Sequence, residues 1–121
     1  AFILLRPPFM TEEEGVEWAM RSIDFAFDCG VSSCVVIPTR PGNGATDQLA
    51  RDGFFHQPGL QALEEVILYG ITRERGRVFA DLWDLASFSR CDACLPARRS
   101  RLNRMNLSQQ VFPAVDCHCT S

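Results

Sequence analysis

Lysine is absent from the 121 residues: all twelve basic side chains are arginine, a composition we read as a coding bias without functional meaning. Histidine is nearly absent too, with only His56, in a loop region, and His118, near the end of the chain. Neither has an evident partner, and no serine stands in a nucleophile-elbow context, so ordinary hydrolase chemistry has little support. No apolar run approaches the roughly 20 residues needed to cross a bilayer, and no signal peptide is visible. The expectation is a protein of the cytoplasm with no membrane partner. The chain opens on "AFILLRPPF" without an initiator Met and reads as a fragment.

What is present is an ordinary globular composition, 46% hydrophobic, in a chain long enough for one core. Charge is uneven. Residues 90–121 carry five Arg against Asp92 and Asp116, a local balance of +3, whereas the whole chain stands at −3. We divide the chain accordingly into residues 1–89 and a basic, cysteine-rich extension, residues 90–121.

Within residues 1–89, apolar runs alternate with helical patterns. "FILL" reads as a strand stopped by "RPP". Thr11 and Glu14 form a T-x-x-E capping box ahead of Val16, Ala19, Met20, Ile23 and Phe27, which recur at helical spacing up to Gly30. "VSSCVVIP" is a second strand, and the loop "TRPGNGAT" leads to a short helical stretch around "DQLARDG". Pro58 opens a further helix with Leu60, Leu63 and Ile67 on one face, and "RVFADLW" is a third strand. The spacing predicts parallel strands near residues 2–5, 31–37 and 77–82, with helices near 12–29 and 58–69. An α/β fold with a parallel sheet built from βαβ units follows, whose open edges make a homo-oligomer a reasonable expectation.

In such a sheet the functional edge lies at the carboxyl ends of the strands. Arg6, Thr39, Arg40 and the Asp81–Asp84 region fall there. The glycines of "PGNG" would let backbone N–H groups approach an anion, although an ordinary Gly/Pro turn explains them as well.

Cys29 and Cys34 read as small buried residues. Cys91 and Cys94 form a C-x2-C, and Cys117 and Cys119 a C-x-C, with 22 residues between the pairs. Four thiolates make a tetrahedral set suited to zinc, and the same set can hold an iron–sulfur cluster. Disulfides or free thiols are the alternatives, the former disfavoured in a reducing cytosol. Between the pairs, "LPARRSRLNRMNLSQQ" looks helical, with Leu102, Met105 and Leu107 inward. Arg98, Arg99, Arg101 and Arg104 then offer either a phosphate-binding face for RNA or a solvated basic surface.

Several stretches, taken in order, resemble the C-terminal portion of radical SAM proteins. They are "FILLRPPFMTEEEGVEWA", "VVIPTRPGNGA" followed by L-x-x-x-G-x-F-x-x-P, "RVFADLWDL", and C-x-x-C-x-x-A-R with "MNLSQ" and the terminal cysteines. The branch is the one containing elongator-type and archaeosine-type tRNA-modifying enzymes. The resemblance implies a partial (βα) barrel, and places Thr39, Arg40 and Asn43 near where the family's barrel approaches S-adenosylmethionine; Arg6 joins them as a candidate cofactor contact from its place at a strand end. The family's C-x3-C-x2-C, which holds the cluster that cleaves this cofactor, is missing. The resemblance therefore implies a chain without cleavage activity of its own, S-adenosylmethionine being used only by a complete enzyme. The other reading is a small metal-stapled α/β module that docks to a partner chain or RNA.

Overall fold

Each of three short apolar runs alternates inward and outward side chains, and each becomes a strand. The computed structural model describes residues 1–7, 9–40, 51 and 58–117. The elements are β1 (Phe2–Leu5), α1 (Glu12–Asp28), β2 (Ser33–Pro38), α2 (Leu60–Thr72), β3 (Arg77–Ala80), a 3-10 turn (Leu85–Phe88) and α3 (Leu95–Ser108). The strands form an open parallel sheet in the order β1-β2-β3, with Phe2 opposite Val35 and Cys34 opposite Val78. This is the α/β arrangement anticipated from the alternation of apolar runs and capped helices. "PGNG" and the helical stretch around "DQLARDG" lie outside the described residues, Arg51 apart.

Helix α1 starts where Thr11 and Glu14 exchange side-chain and backbone hydrogen bonds, at 3.0 and 3.1 Å. Glu12, Glu13 and Glu14 in its first turn face the positive end of the helix dipole. Gly30 follows its end with a φ of 90°, a conformation glycine adopts without steric cost. The second long helix begins two residues later than Pro58 suggests. Gly59 is its N-cap, and the Gly59 N–H is taken by the Glu12 carboxylate, which ties the starts of α1 and α2 together. Gly70 does not end α2 either, since the helix runs on to Thr72. A Cβ at Gly70 would lie 2.8 Å from Val78 Cγ1, so the residue is needed where the helix presses on β3.

Ile3, Leu5, Cys34, Val36, Val78 and Ala80 point to one face of the sheet and share a core with Ala19, Ile23, Leu63, Val66 and Ile67. Both crossover helices therefore cover the same face. Full burial of each large aliphatic side chain contributes about 1.5–3 kcal/mol. The opposite face carries Phe2 and Leu4, which are 78% and 52% exposed, with half-buried Val35, Ile37 and Phe79.

Helix α3 closes the outer edge of β3. Arg77 and Asp81 donate their N–H groups to Ser32 and Val36 on the β2 side, so Val78 and Ala80 turn theirs outward. Gln109 accepts from Val78 N at 2.8 Å and donates to Val78 O at 3.0 Å. Asn106 does the same for Ala80, at 2.8 and 3.0 Å. Two primary amides thus stand in for the next strand. Gln109 makes its contact from the left-handed C-cap position of α3, with a φ of 56°. Of the side chains expected to point inward from this helix, Leu102 and Met105 are fully buried but Leu107 is 80% exposed. Leu107 follows Asn106 by one position, about 100° around the helix, and so leaves the buried stripe.

Asn106→Ala leaves the Ala80 N–H and C=O without their protein partners. It should lower the unfolding free energy by about 1–3 kcal/mol, measured as the urea midpoint at unchanged slope.

Candidate metal centre

The C-x2-C occupies the turn that starts α3. Ser89 Oγ accepts from Cys91 N at 3.2 Å and donates to Cys91 O at 2.9 Å, which fixes the first cysteine. Cys94 is the N-cap of α3, and Pro96 sits in the first turn, where its missing N–H costs nothing. After α3 the chain turns back at Gln109 and returns alongside the helix. Arg101 Nε donates to Phe112 O at 2.9 Å, and the Arg104 guanidinium lies 4.2 Å from the Phe112 ring centre. This return carries Cys117 to the start of α3.

The sulfurs of Cys91, Cys94 and Cys117 all lie within 4.8 Å of one another, and Cys91 and Cys117 are 3.7 Å apart. A disulfide needs a separation of about 2.05 Å. Tetrahedral bonds of about 2.3 Å to one ion place sulfurs roughly 3.8 Å apart. The spacing fits a shared metal, and these three cysteines can hold one. Cys119 lies outside the described residues. Cys94 is buried, Cys91 half-buried and Cys117 exposed, and a cavity of about 210 Å³ opens onto Cys94 and Cys117.

Electrostatics separate this cluster from the other thiols. The Cys94 backbone N–H first, then the Cys94 and Cys117 thiols and the Ala93 N–H, hold the Cys91 thiol below its ordinary pKa. Burial pushes the Cys34 thiol up. Cys34 is an inert core residue, as its place in a strand suggests. Cys29, read as buried, is exposed at the C-cap of α1.

Glu64 of α2 organises the surroundings. Arg98 Nε donates to Glu64 Oε1 at 2.9 Å, joined by Arg98 Nη2 on the same oxygen, and Arg101 Nη1 donates to Glu64 Oε2 at 3.1 Å. Arg98 Nη1 reaches Cys94 Sγ at 3.8 Å. Of the four arginines expected on a phosphate-binding face, Arg98 and Arg101 are thus turned inward and buried, while Arg99 and Arg104 are exposed. Sequence reasoning missed Glu64. Its position in the 60, 64, 67, 71 series places it on the buried stripe of α2, as 98, 101, 102, 105 places both arginines on that of α3.

Arg6, Thr39 and Arg40 stand at the carboxyl ends of β1 and β2, as expected from their positions. Thr39 Oγ1 bridges the Leu5 and Arg6 carbonyls at 2.9 and 2.5 Å, binding the two strand ends together. Arg6 Nε donates to Met10 O at 3.2 Å. Arg40 is 4.9 Å from the ring centres of both Trp83 and Phe88, donates to Pro38 and Trp83 carbonyls, and has Asp81 Oδ2 at 3.8 Å. Asn43 lies outside the described residues. Among the described residues, no helix is long and apolar enough to cross a membrane.

No protein-family model matches the chain, and no curated protein or solved structure shows significant similarity to it.

Thiol reactivity should follow the two environments. In metal-free protein near pH 7, iodoacetamide should modify Cys91 well before Cys34, because the lowered pKa leaves more thiolate and burial withholds Cys34. Peptide mapping of a labelling time course reads the order, and equal rates would contradict it.

Proposed function

We propose that this chain is a zinc-stapled segment of a (βα) barrel belonging to a radical SAM enzyme that modifies RNA. The observation that carries the reading is the sheet: strands in sequential parallel order, both crossover helices on one face, the other face apolar with Phe2 and Leu4 exposed. A doubly wound sheet reverses its strand order and places helices on both faces. A barrel keeps the order, puts its helices outside, and packs its interior with branched and apolar side chains like those at positions 2, 4, 35, 37 and 79. The open outer edge of β1, next to that face, is where a further parallel strand would extend the barrel. The motif order along the chain supports the enzyme class, and exposed Arg99 and Arg104 are what remains for contact with RNA phosphates.

Zinc at Cys91, Cys94 and Cys117 is structural in this reading. It holds the returning tail and the start of α3 against the sheet, and supplies no step of the reaction. The cysteine cluster on its own also supports the narrower reading, a metal-stapled module that binds a partner. One observation separates them. The coding sequence upstream of the Ala1 codon should contain an in-frame C-x3-C-x2-C, and a start codon adjacent to Ala1 would leave the module reading.

The chain alone, reconstituted with iron and sulfide under reduction, should not cleave S-adenosylmethionine. Its six cysteines include no C-x3-C-x2-C to hold a cluster with an open iron position. Formation of 5′-deoxyadenosine above a no-protein control would overturn this.

A further inference from the structure

Two arginines and one glutamate form a buried set beside the thiols. Arg98 and Arg101 keep only 6% and 9% of their accessible surface, and both pair with Glu64. Two positive charges therefore share one carboxylate. A buried surplus charge is costly unless an anion lies within reach. Besides Glu64, Arg98 reaches Cys94 Sγ. A divalent ion bound by three thiolates carries a net charge of −1, and by four, −2. A filled metal centre would place negative charge within reach of Arg98.

Resting on the metal reading of Cys91, Cys94 and Cys117, we infer that Arg98 is a positioning residue of that centre. Its Nη1–H orients and stabilises the Cys94 thiolate toward the ion, while Glu64 fixes the guanidinium from α2. The planar fork of arginine suits the task. Nε and Nη2 grip Glu64 Oε1 on one side, leaving Nη1 directed at the sulfur. Arg101 shares the carboxylate but directs its Nε to the Phe112 carbonyl. It is the built-in control, with the same buried pairing and no bond to sulfur among its hydrogen bonds. Through Arg98 and Glu64, metal binding is coupled to the packing of α3 on α2.

The test uses the whole chain titrated with Co²⁺, following sulfur-to-cobalt charge-transfer absorption, with affinities from competition against a chromophoric chelator. Arg98→Met should weaken binding by about 10–100-fold, the range for losing an outer-shell partner. It should also move the charge-transfer band to lower energy, because a thiolate stripped of its N–H donor gives up an electron more readily. Arg98→Lys keeps a cation and a donor but not the fork, so it should shift both readouts in the same direction by less. It decides the matter if Arg98→Met does not fold. Arg101→Met should lower thermal stability and leave the band where it is. Wild-type affinity and band position in the Arg98 variants would overturn the role of Arg98 alone. Absence of any thiolate band in the wild-type chain would overturn the metal reading and this inference with it.

Discussion

An edge strand must do something with the backbone groups that face away from its sheet, and at β3 the solution is two side-chain amides. Asn106 and Gln109 bond both the N–H and the C=O of Ala80 and Val78. The match requires α3 to lie in one place and at one rotation, because a shift of a single residue would carry both amides off the strand. The contacts of α3 with α2 and with the returning chain serve that placement.

What holds α3 there is not a large apolar face. Leu102 and Met105 are its only fully buried large apolar side chains, worth about 1.5–3 kcal/mol each, with Leu95 packed part-buried against the core. Fixing each backbone residue of the helix costs about 1–2 kcal/mol, so apolar burial needs help. One anchor is polar: Glu64 receives Arg98 and Arg101, joining α3 to α2 beneath the surface. Pairs of this kind are weak as net stabilisers, but losing one partner is severe, so they specify an arrangement more than they strengthen it. The other anchor is the thiol cluster at the start of α3, where the returning tail brings Cys117 to Cys91 and Cys94. A metal there would close the loop formed by α3 and its return.

Much of this architecture was legible in the sequence. The strands, the capping box at Thr11 and the stripe of Leu60, Leu63 and Ile67 declare themselves because local periodicity and capping chemistry act over a few residues. The meeting of the cysteines was legible in part, since paired thiols at close spacing have few purposes, and three of them converge. Two kinds of feature were not legible. Gly70 lies just past the expected helix end at residue 69, and only tertiary contact with β3 shows that its missing side chain is what matters. Arg98 and Arg101 read as a phosphate-binding or solvated face, and Glu64 carries no signal of its own, because single-residue polarity favours solvent, yet together they form a buried unit. Their positions on the apolar stripes held the information, but the partner needed to make burial tolerable sits on another helix, more than thirty residues away.

We propose that a metal at the cysteine cluster locks α3, and that α3 guards the β3 edge. Hydrogen exchange at the Val78 and Ala80 amides tests this most directly, since their acceptors are the Gln109 and Asn106 side chains. The comparison is protein as purified against protein stripped by a chelator. The account predicts that stripping speeds exchange at these two amides and throughout α3, while amides between β1 and β2 keep their protection. Unchanged exchange at Val78 and Ala80 in protein shown to have lost its metal would contradict it.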